Sequence, residues 1–174
     1  ILAFDGGGIR GSLSVEILSR ILDKYPNFLE EVNLFTGTST GSIIAALLAK
    51  GIPIEEVRKL YSKELSKEIF SKPRINFLKP KFNNIALKKI LSNYFDENFK
   101  ISDFKKYIFI PAFYLGDKST KSWEPVFFNN LSINNTSNTI ARDAILASSA
   151  APTYFPFYNN YIDGGVVANS PTAI

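Results

Sequence analysis

Val32-Asn33-Leu34-Phe35-Thr36-Gly37-Thr38-Ser39-Thr40-Gly41-Ser42-Ile43-Ile44-Ala45-Ala46-Leu47-Leu48-Ala49-Lys50 is the stretch on which the fold turns. Val32 to Phe35 reads as a short strand leading into Gly37. Ser42 to Lys50 is apolar nearly all round, the pattern of a buried helix. Between them lies G-x-S-x-G, Gly37 to Gly41. That pentapeptide is the signature of a nucleophile elbow, a tight strand-to-helix turn that pushes a serine hydroxyl out of the fold. Gly37 and Gly41 suit such a turn because a Cβ at either would crowd strand against helix. The helix behind Gly41 would set its positive end near Ser39 and favour negative charge developing there. By chance the pentapeptide occurs in a chain of this length on the order of a few per cent of the time. Its bland reading is a turn with a capping serine, and the flanking strand and buried helix favour the functional one.

The chain contains no histidine. A serine hydrolase ordinarily uses one to take the hydroxyl proton. Lysine would first have to lose a proton and cysteine is absent, which leaves a carboxylate as base. Two aspartates qualify. Asp163 leaves the short strand Tyr161-Ile162 into Gly164-Gly165, and Asp5 ends the apolar run Ile1 to Phe4 ahead of Gly6-Gly7-Gly8. A lone Asp-Gly-Gly is more often a turn starter. A serine nucleophile without histidine shifts that balance toward Asp163, and a partly desolvated carboxylate has the raised pKa that a base needs.

Gly6-x-Gly8-x-x-Gly11 fits two uses. One is a dinucleotide fingerprint, which needs an acidic residue at the end of the next strand to hold the ribose. The next strand here ends in Thr36-Gly37-Thr38-Ser39, and Asp23, Glu30 and Glu31 all precede it. The other is an oxyanion hole built from the amides of Gly6, Gly7 and Gly8, with Thr40 N–H as the matching donor after the nucleophile. Each such donor is worth roughly 3 to 4 kcal/mol in a transition state. Arg10 is either a holder of an anionic substrate group such as phosphate or an ordinary surface arginine.

Elsewhere, Leu13, Ile17, Leu18, Ile21 and Leu22 share one helical face, with Ser12 or Ser14 as cap and Pro26-Asn27 as the stop. Gly51 reads as a helix C-cap and Pro53 as the opening of a helix over Glu55 to Phe70. A further amphipathic helix covers about Ile85 to Phe95, and Thr139 is placed to cap one running through Ala147. Tyr107 to Leu115 and Trp123 to Phe128 read as strands, the first with Pro111 suited to a sheet edge. Strands alternating with helices predict one α/β domain over residues 1–174 with a largely parallel sheet. Ligands bind such sheets beyond the carboxyl ends of the strands. The glycine turns at Gly6, Gly37 and Gly164 all fall at predicted strand C-termini.

Absence of cysteine excludes disulfides, and a metal site would have to be built from oxygens alone. The net charge of +4 suits an anionic membrane surface and is too small to argue for nucleic acid. The longest apolar run, Ile43 to Ala49, is far too short for a bilayer span. The chain starts at Ile1 and has no methionine, which reads as a trimmed or partial product and leaves any leader segment open.

Taken in order, Asp5-Gly6-Gly7-Gly8-Ile9-Arg10-Gly11, Gly37-Thr38-Ser39-Thr40-Gly41, Ala147-Ser148-Ser149-Ala150-Ala151-Pro152-Thr153-Tyr154-Phe155-Pro156 and Asp163-Gly164-Gly165 resemble the patatin-like phospholipases. The resemblance covers nearly the whole chain. It implies a patatin-like α/β architecture, a domain shortened at its C-terminus, and hydrolysis of lipid acyl esters by a Ser-Asp dyad without histidine or metal. Ser39 would then be the nucleophile, Asp163 its base, and Gly7, Gly8 and neighbouring amides the oxyanion hole. The implied partners are a phospholipid or other lipid ester and a peripheral membrane surface, with the cytoplasm or a membrane surface as the place of work. Ser71 to Phe82 mixes Lys72, Arg74, Lys79 and Lys81 with Ile75, Phe77 and Leu78, a composition able to seat at an anionic interface or to pack inward as an ordinary loop.

Overall fold

A computed structural model describes residues 1–61, 80–117, 122–132 and 136–173. The strands are β1 (Leu2–Phe4), β2 (Leu34–Gly37), β3 (Tyr107–Tyr114), β4 (Glu124–Asn129) and β5 (Tyr161–Asp163). The helices are α1 (Gly11–Lys24), α2 (Thr40–Ala49), α3 (Ile54–Lys59), α4 (Ile85–Ser92), α5 (Ala141–Ser148) and α6 (Gly165–Ala168). They form a mixed sheet flanked by helices, the α/β arrangement that the alternation predicts. β1, β2 and β3 are parallel, while β4 and β5 both pair antiparallel with β3.

The register on β3 decides where the site forms. β2 runs along Tyr107 to Phe109 of β3, and β5 runs the opposite way along Tyr114 to Ala112. β4 covers the other edge from Phe109 to Tyr114. The carboxyl ends of β2 and β5 therefore point at each other along one edge of β3. Pro111 lies in the gap between them. β3 is thus an interior strand rather than the edge that Pro111 suggested. Tyr107 N–H and Leu115 N–H both face the β2/β5 side, so by alternation the imide nitrogen of Pro111 faces the gap, where neither β2 nor β5 offers a ladder partner.

α2 is the centre of the core, and all ten of its residues are buried. Burying each leucine or isoleucine contributes about 1.5–3 kcal/mol. The helix ends in a Schellman motif: Gly51 at φ 89° sends its N–H to Leu48 O, and Ile52 N–H reaches Leu47 O. Pro53 stands just before the first turn of α3, as expected.

Other boundaries and faces differ from the sequence pattern. No serine caps α1, because the chain enters through a 3-10 turn at Gly8–Arg10 in which the carbonyls of Gly8 and Ile9 accept Gly11 N–H. Thr139 does not cap α5; an antiparallel bridge between Lys100 and Ile140 keeps the chain extended up to the helix, and Thr139 O accepts Ile101 N–H. The buried face of α1 is Gly11, Val15, Leu18 and Ser19. Leu13 and Ile17, expected with the core, are 64% and 51% exposed. The helix carries more apolar residues than the surface beneath it can cover. The predicted helix over Glu55 to Phe70 is seen as α3, and its remainder beyond Tyr61 lies outside the described residues, as do Lys72, Arg74, Ile75, Phe77, Leu78 and Lys79. Of the mixed loop, Phe82 packs against Tyr154 and Phe155, and Lys81 Nζ lies 4.9 Å over the Tyr154 ring. Among the described residues no helix is long and apolar enough to cross a membrane.

Burial predicts opposite outcomes at two apolar positions. Ile44→Ala is expected to lower the unfolding free energy by about 2–5 kcal/mol in a denaturant titration. Leu13→Ala is expected to stay within about 0.5 kcal/mol. A loss at Leu13 equal to that at Ile44 would place its side chain in a core.

Candidate active site

The elbow forms because β2 and α2 meet at backbone distance. A Cβ on Gly37 would run into the main chain of Gly41 and Ser42, and one on Gly41 would run into the carbonyls of Phe4 and Asp5. With strand and helix this close, the reversal falls on Ser39, at φ 56° and ψ −128°. A non-glycine residue there stores about 1–3 kcal/mol, which only an over-determined surrounding sustains. Ser39 occupies the N-cap position of α2, yet its side chain makes no capping bond and its backbone is not the extended one of a capping serine. The capping reading fails, and the hydroxyl is left for the cavity beside it.

That surrounding is built of hydroxyls. Ser148 Oγ accepts Ser39 N–H at 3.1 Å. Ser42 Oγ and Ser149 Oγ donate to Ser39 O at 2.6 and 3.1 Å. Thr38 Oγ1 donates to Ala168 O at 2.6 Å, tying the elbow to α6. Tyr61 OH donates to Thr40 O at 2.5 Å; burial pushes this phenol up, so it stays a donor. Sequence reading assigned no role to Ser148, Ser149 or Tyr61. Ser148 and Ser149 lie within the motif that carries the resemblance, which was the available signal.

Asp163 reaches the same place from the opposite strand end. It is 6% exposed. Its Oδ1 accepts Gly165 N–H at 2.7 Å, while Oδ2 is buried and meets no hydrogen-bond partner among the described residues. Burial pushes its carboxyl above the ordinary aspartate value, and the neighbouring Ser39 side chain and Gly165 N–H pull it back in part. The Ser39 side chain is near enough to lower the Asp163 carboxyl, and among the described residues no hydrogen bond reaches Oδ2. Asp5, the competing base, is exposed at the end of β1.

The glycine loop is divided in its roles. Gly6 N–H is engaged with Asn169 O at 3.0 Å. It is therefore not a free oxyanion donor, which corrects its inclusion in that set. Among the described residues no acceptor meets the N–H of Gly7, Gly8 or Thr40, and all three residues line a cavity with Ser39. Thr40 Oγ1 donates to Gly8 O at 3.0 Å and fixes the loop against the elbow. Arg10 is exposed at the rim, its Nε folded back 3.4 Å from Gly7 O. The cavity measures about 340 Å³ and is walled by Ile9, Ile43, Leu87, Tyr154 and Phe155. A larger cavity of about 610 Å³ lies at the far end of α2, beside Leu29, Lys50 and Phe99, away from both Ser39 and Asp163. Among the described residues no group of three or more His, Cys, Asp or Glu side chains is gathered as metal ligands. No carboxylate ends β2, which weakens the dinucleotide reading of Gly6 to Gly11.

Comparison with known proteins bears on this arrangement. The chain is 36% identical over 175 residues to Protein teg of Priestia megaterium, covering 99% of this chain and 55% of that one. It is 31% identical over 197 residues to a cGAMP-activated phospholipase of Escherichia coli, covering 100% of this chain and 54% of the relative. It is 29% identical over 219 residues to Patatin-like protein 3 of Arabidopsis thaliana, covering 99% and 50%. The chain spans about half the length of these curated relatives. Residues 2–174 match the family model described as Patatin-like phospholipase, and with a match of that extent the chain belongs to the patatin-like phospholipase family.

Proposed function

We propose that the chain is the catalytic part of a lipid acyl hydrolase of phospholipase A or lysophospholipase type, working through a Ser39–Asp163 dyad. The observation that carries this reading is the pairing of a strained serine that makes no capping bond with a buried aspartate oxygen that has no hydrogen-bond partner among the described residues. Asp163 Oδ2 takes the proton as Ser39 Oγ attacks the ester carbonyl. The N–H groups of Gly7, Gly8 and Thr40 receive the oxyanion, aided by the positive end of α2. Asp163 then gives its proton to the leaving alcohol, which breaks the ester bond and leaves an acyl-enzyme. Water attacks that intermediate with Asp163 again as base, releasing the fatty acid and restoring Ser39. The apolar cavity walls suit an acyl chain, and Arg10 at the rim suits an anionic head group. Contact with a lipid surface, in the cytoplasm or at a membrane, belongs to the same proposal. Family membership and a relative whose name is a phospholipase support the substrate class.

Two variants test the roles. Ser39→Ala is expected to abolish both ester hydrolysis and labelling by a fluorophosphonate. Asp163→Asn is expected to lower kcat by about 10²–10⁴-fold. Labelling that persists in Ser39→Ala, or full activity in Asp163→Asn, would remove the corresponding assignment.

The direction of the Asp163 shift fixes two pH dependences. The base must be ionised, so kcat/KM should rise with pH along a limb displaced above the usual aspartate range of about 3.9. Stability runs the other way. A carboxyl whose folded pKa is raised stabilises the fold below its unfolded pKa, and that contribution is lost as pH rises through the folded value. The melting temperature of Asp163→Asn relative to wild type should therefore climb as pH increases across that window and then level off. A flat difference would show that burial of the charge costs the fold nothing.

A further inference from the structure

The end of α5 touches both halves of the site. Ser148 Oγ accepts Ser39 N–H at 3.1 Å, and Ser149 Oγ donates to Ser39 O at 3.1 Å. The main chain of the same segment holds the aspartate: Asp163 N–H donates to Ala150 O at 3.0 Å and Gly164 N–H to Ser148 O at 3.2 Å. Both serines are buried, Ser148 completely.

The two hydroxyls are not equivalent. Ser39 O also receives Ser42 N–H at 3.0 Å and Ser42 Oγ at 2.6 Å, so it keeps donors if Ser149 loses its hydroxyl. Among the described residues Ser39 N–H meets only Ser148 Oγ. Without that oxygen, the part-buried Ser39 amide loses the acceptor that fixes it, at the one elbow residue whose backbone must be held against its own preference.

We propose that Ser148 is a positioning residue for the reaction. Its hydroxyl holds the Ser39 peptide in the elbow conformation, while the carbonyls of Ser148 and Ala150 hold the main chain of Asp163. One three-residue segment thereby sets the spacing between hydroxyl and carboxylate. This inference rests on Ser39 and Asp163 acting as proposed above.

The test compares wild type, Ser39→Ala, Ser148→Ala, Ser148→Cys, Ser148→Thr and Ser149→Ala in the full chain. Readouts are kcat and KM on a soluble p-nitrophenyl ester, the rate of fluorophosphonate labelling, and the melting temperature. Ser148→Ala is expected to lower kcat and the labelling rate together, about tenfold or more, with KM within about twofold. Ser148→Cys fills the site with a slightly larger side chain that offers only a weak sulfur acceptor, so it should fall with alanine even if alanine folds poorly. Ser148→Thr retains the hydroxyl and should recover most of the rate. Ser149→Ala should lose less than about threefold, because Ser42 still serves the carbonyl. A purely structural serine would lower the melting temperature and leave kcat of the folded enzyme intact. Unchanged kcat in both Ser148→Ala and Ser148→Cys, or equal losses at 148 and 149, overturns the positioning role alone. Labelling that survives Ser39→Ala overturns the dyad reading and this inference with it.

Discussion

Gly41 sets the first turn of α2 against the carbonyls of Phe4 and Asp5, nearer than a side chain would allow. Much else follows from that approach. The helix begins at the carboxyl end of the strands with only Thr38 and Ser39 to turn the chain, so the turn concentrates on Ser39 at a positive φ. The strain is of the order of a few kcal/mol. The burial of Ile43, Ile44, Leu47 and Leu48, at about 1.5–3 kcal/mol for each side chain, is large enough to hold it. The core of α2 is thus what keeps an uncapped hydroxyl pointing at a cavity.

Asp163 is a second local liability at the same spot. A carboxylate buried with one oxygen bonded and the other bare is a poor choice for stability. In the proposed mechanism the compensation is chemical: the bare oxygen is the one that takes the proton. Two unfavourable features, a strained backbone and an under-solvated charge, would be unrelated accidents in a purely structural turn. Their coincidence beside three amides that meet no acceptor among the described residues is what raises the site above a glycine-rich loop.

What the sequence made legible were features with local cause. The elbow depends on glycines at fixed offsets, the buried helix on a run of apolar residues, and Asp163 on its place between a strand and two glycines. Each of these lies within a few residues of its own signal. What stayed hidden depends on partners far along the chain. Leu13 and Ile17 have helical spacing, yet nothing nearby says how wide a strip of α1 the core covers. Gly6 looks equivalent to Gly7 and Gly8 until Asn169 engages its amide. The cap expected at Thr139 failed for the same reason, because the bridge between Lys100 and Ile140 keeps the chain extended there, whereas the caps expected at Ser12 or Ser14 gave way to a local cause, the 3-10 turn at Gly8–Arg10. Ser148 and Ser149 gave no local hint of whose backbone they would hold.

The meeting of Ser39 with Asp163 is a consequence of strand direction. In a wholly parallel sheet two loops at carboxyl ends sit side by side, one strand spacing or more apart. Here β2 and β5 share one edge of β3 and run toward each other, so the chains leaving them meet nearly head to head. Such an arrangement leaves a stretch of β3 without a ladder partner between the two strand ends. A residue with an N–H there would bury a donor with no sheet acceptor. Pro111 has none to bury, and its carbonyl lies against Gly164, where a Cβ would collide with it. The proline that looked like an edge marker is better understood as filling the seam across which hydroxyl and carboxylate face each other.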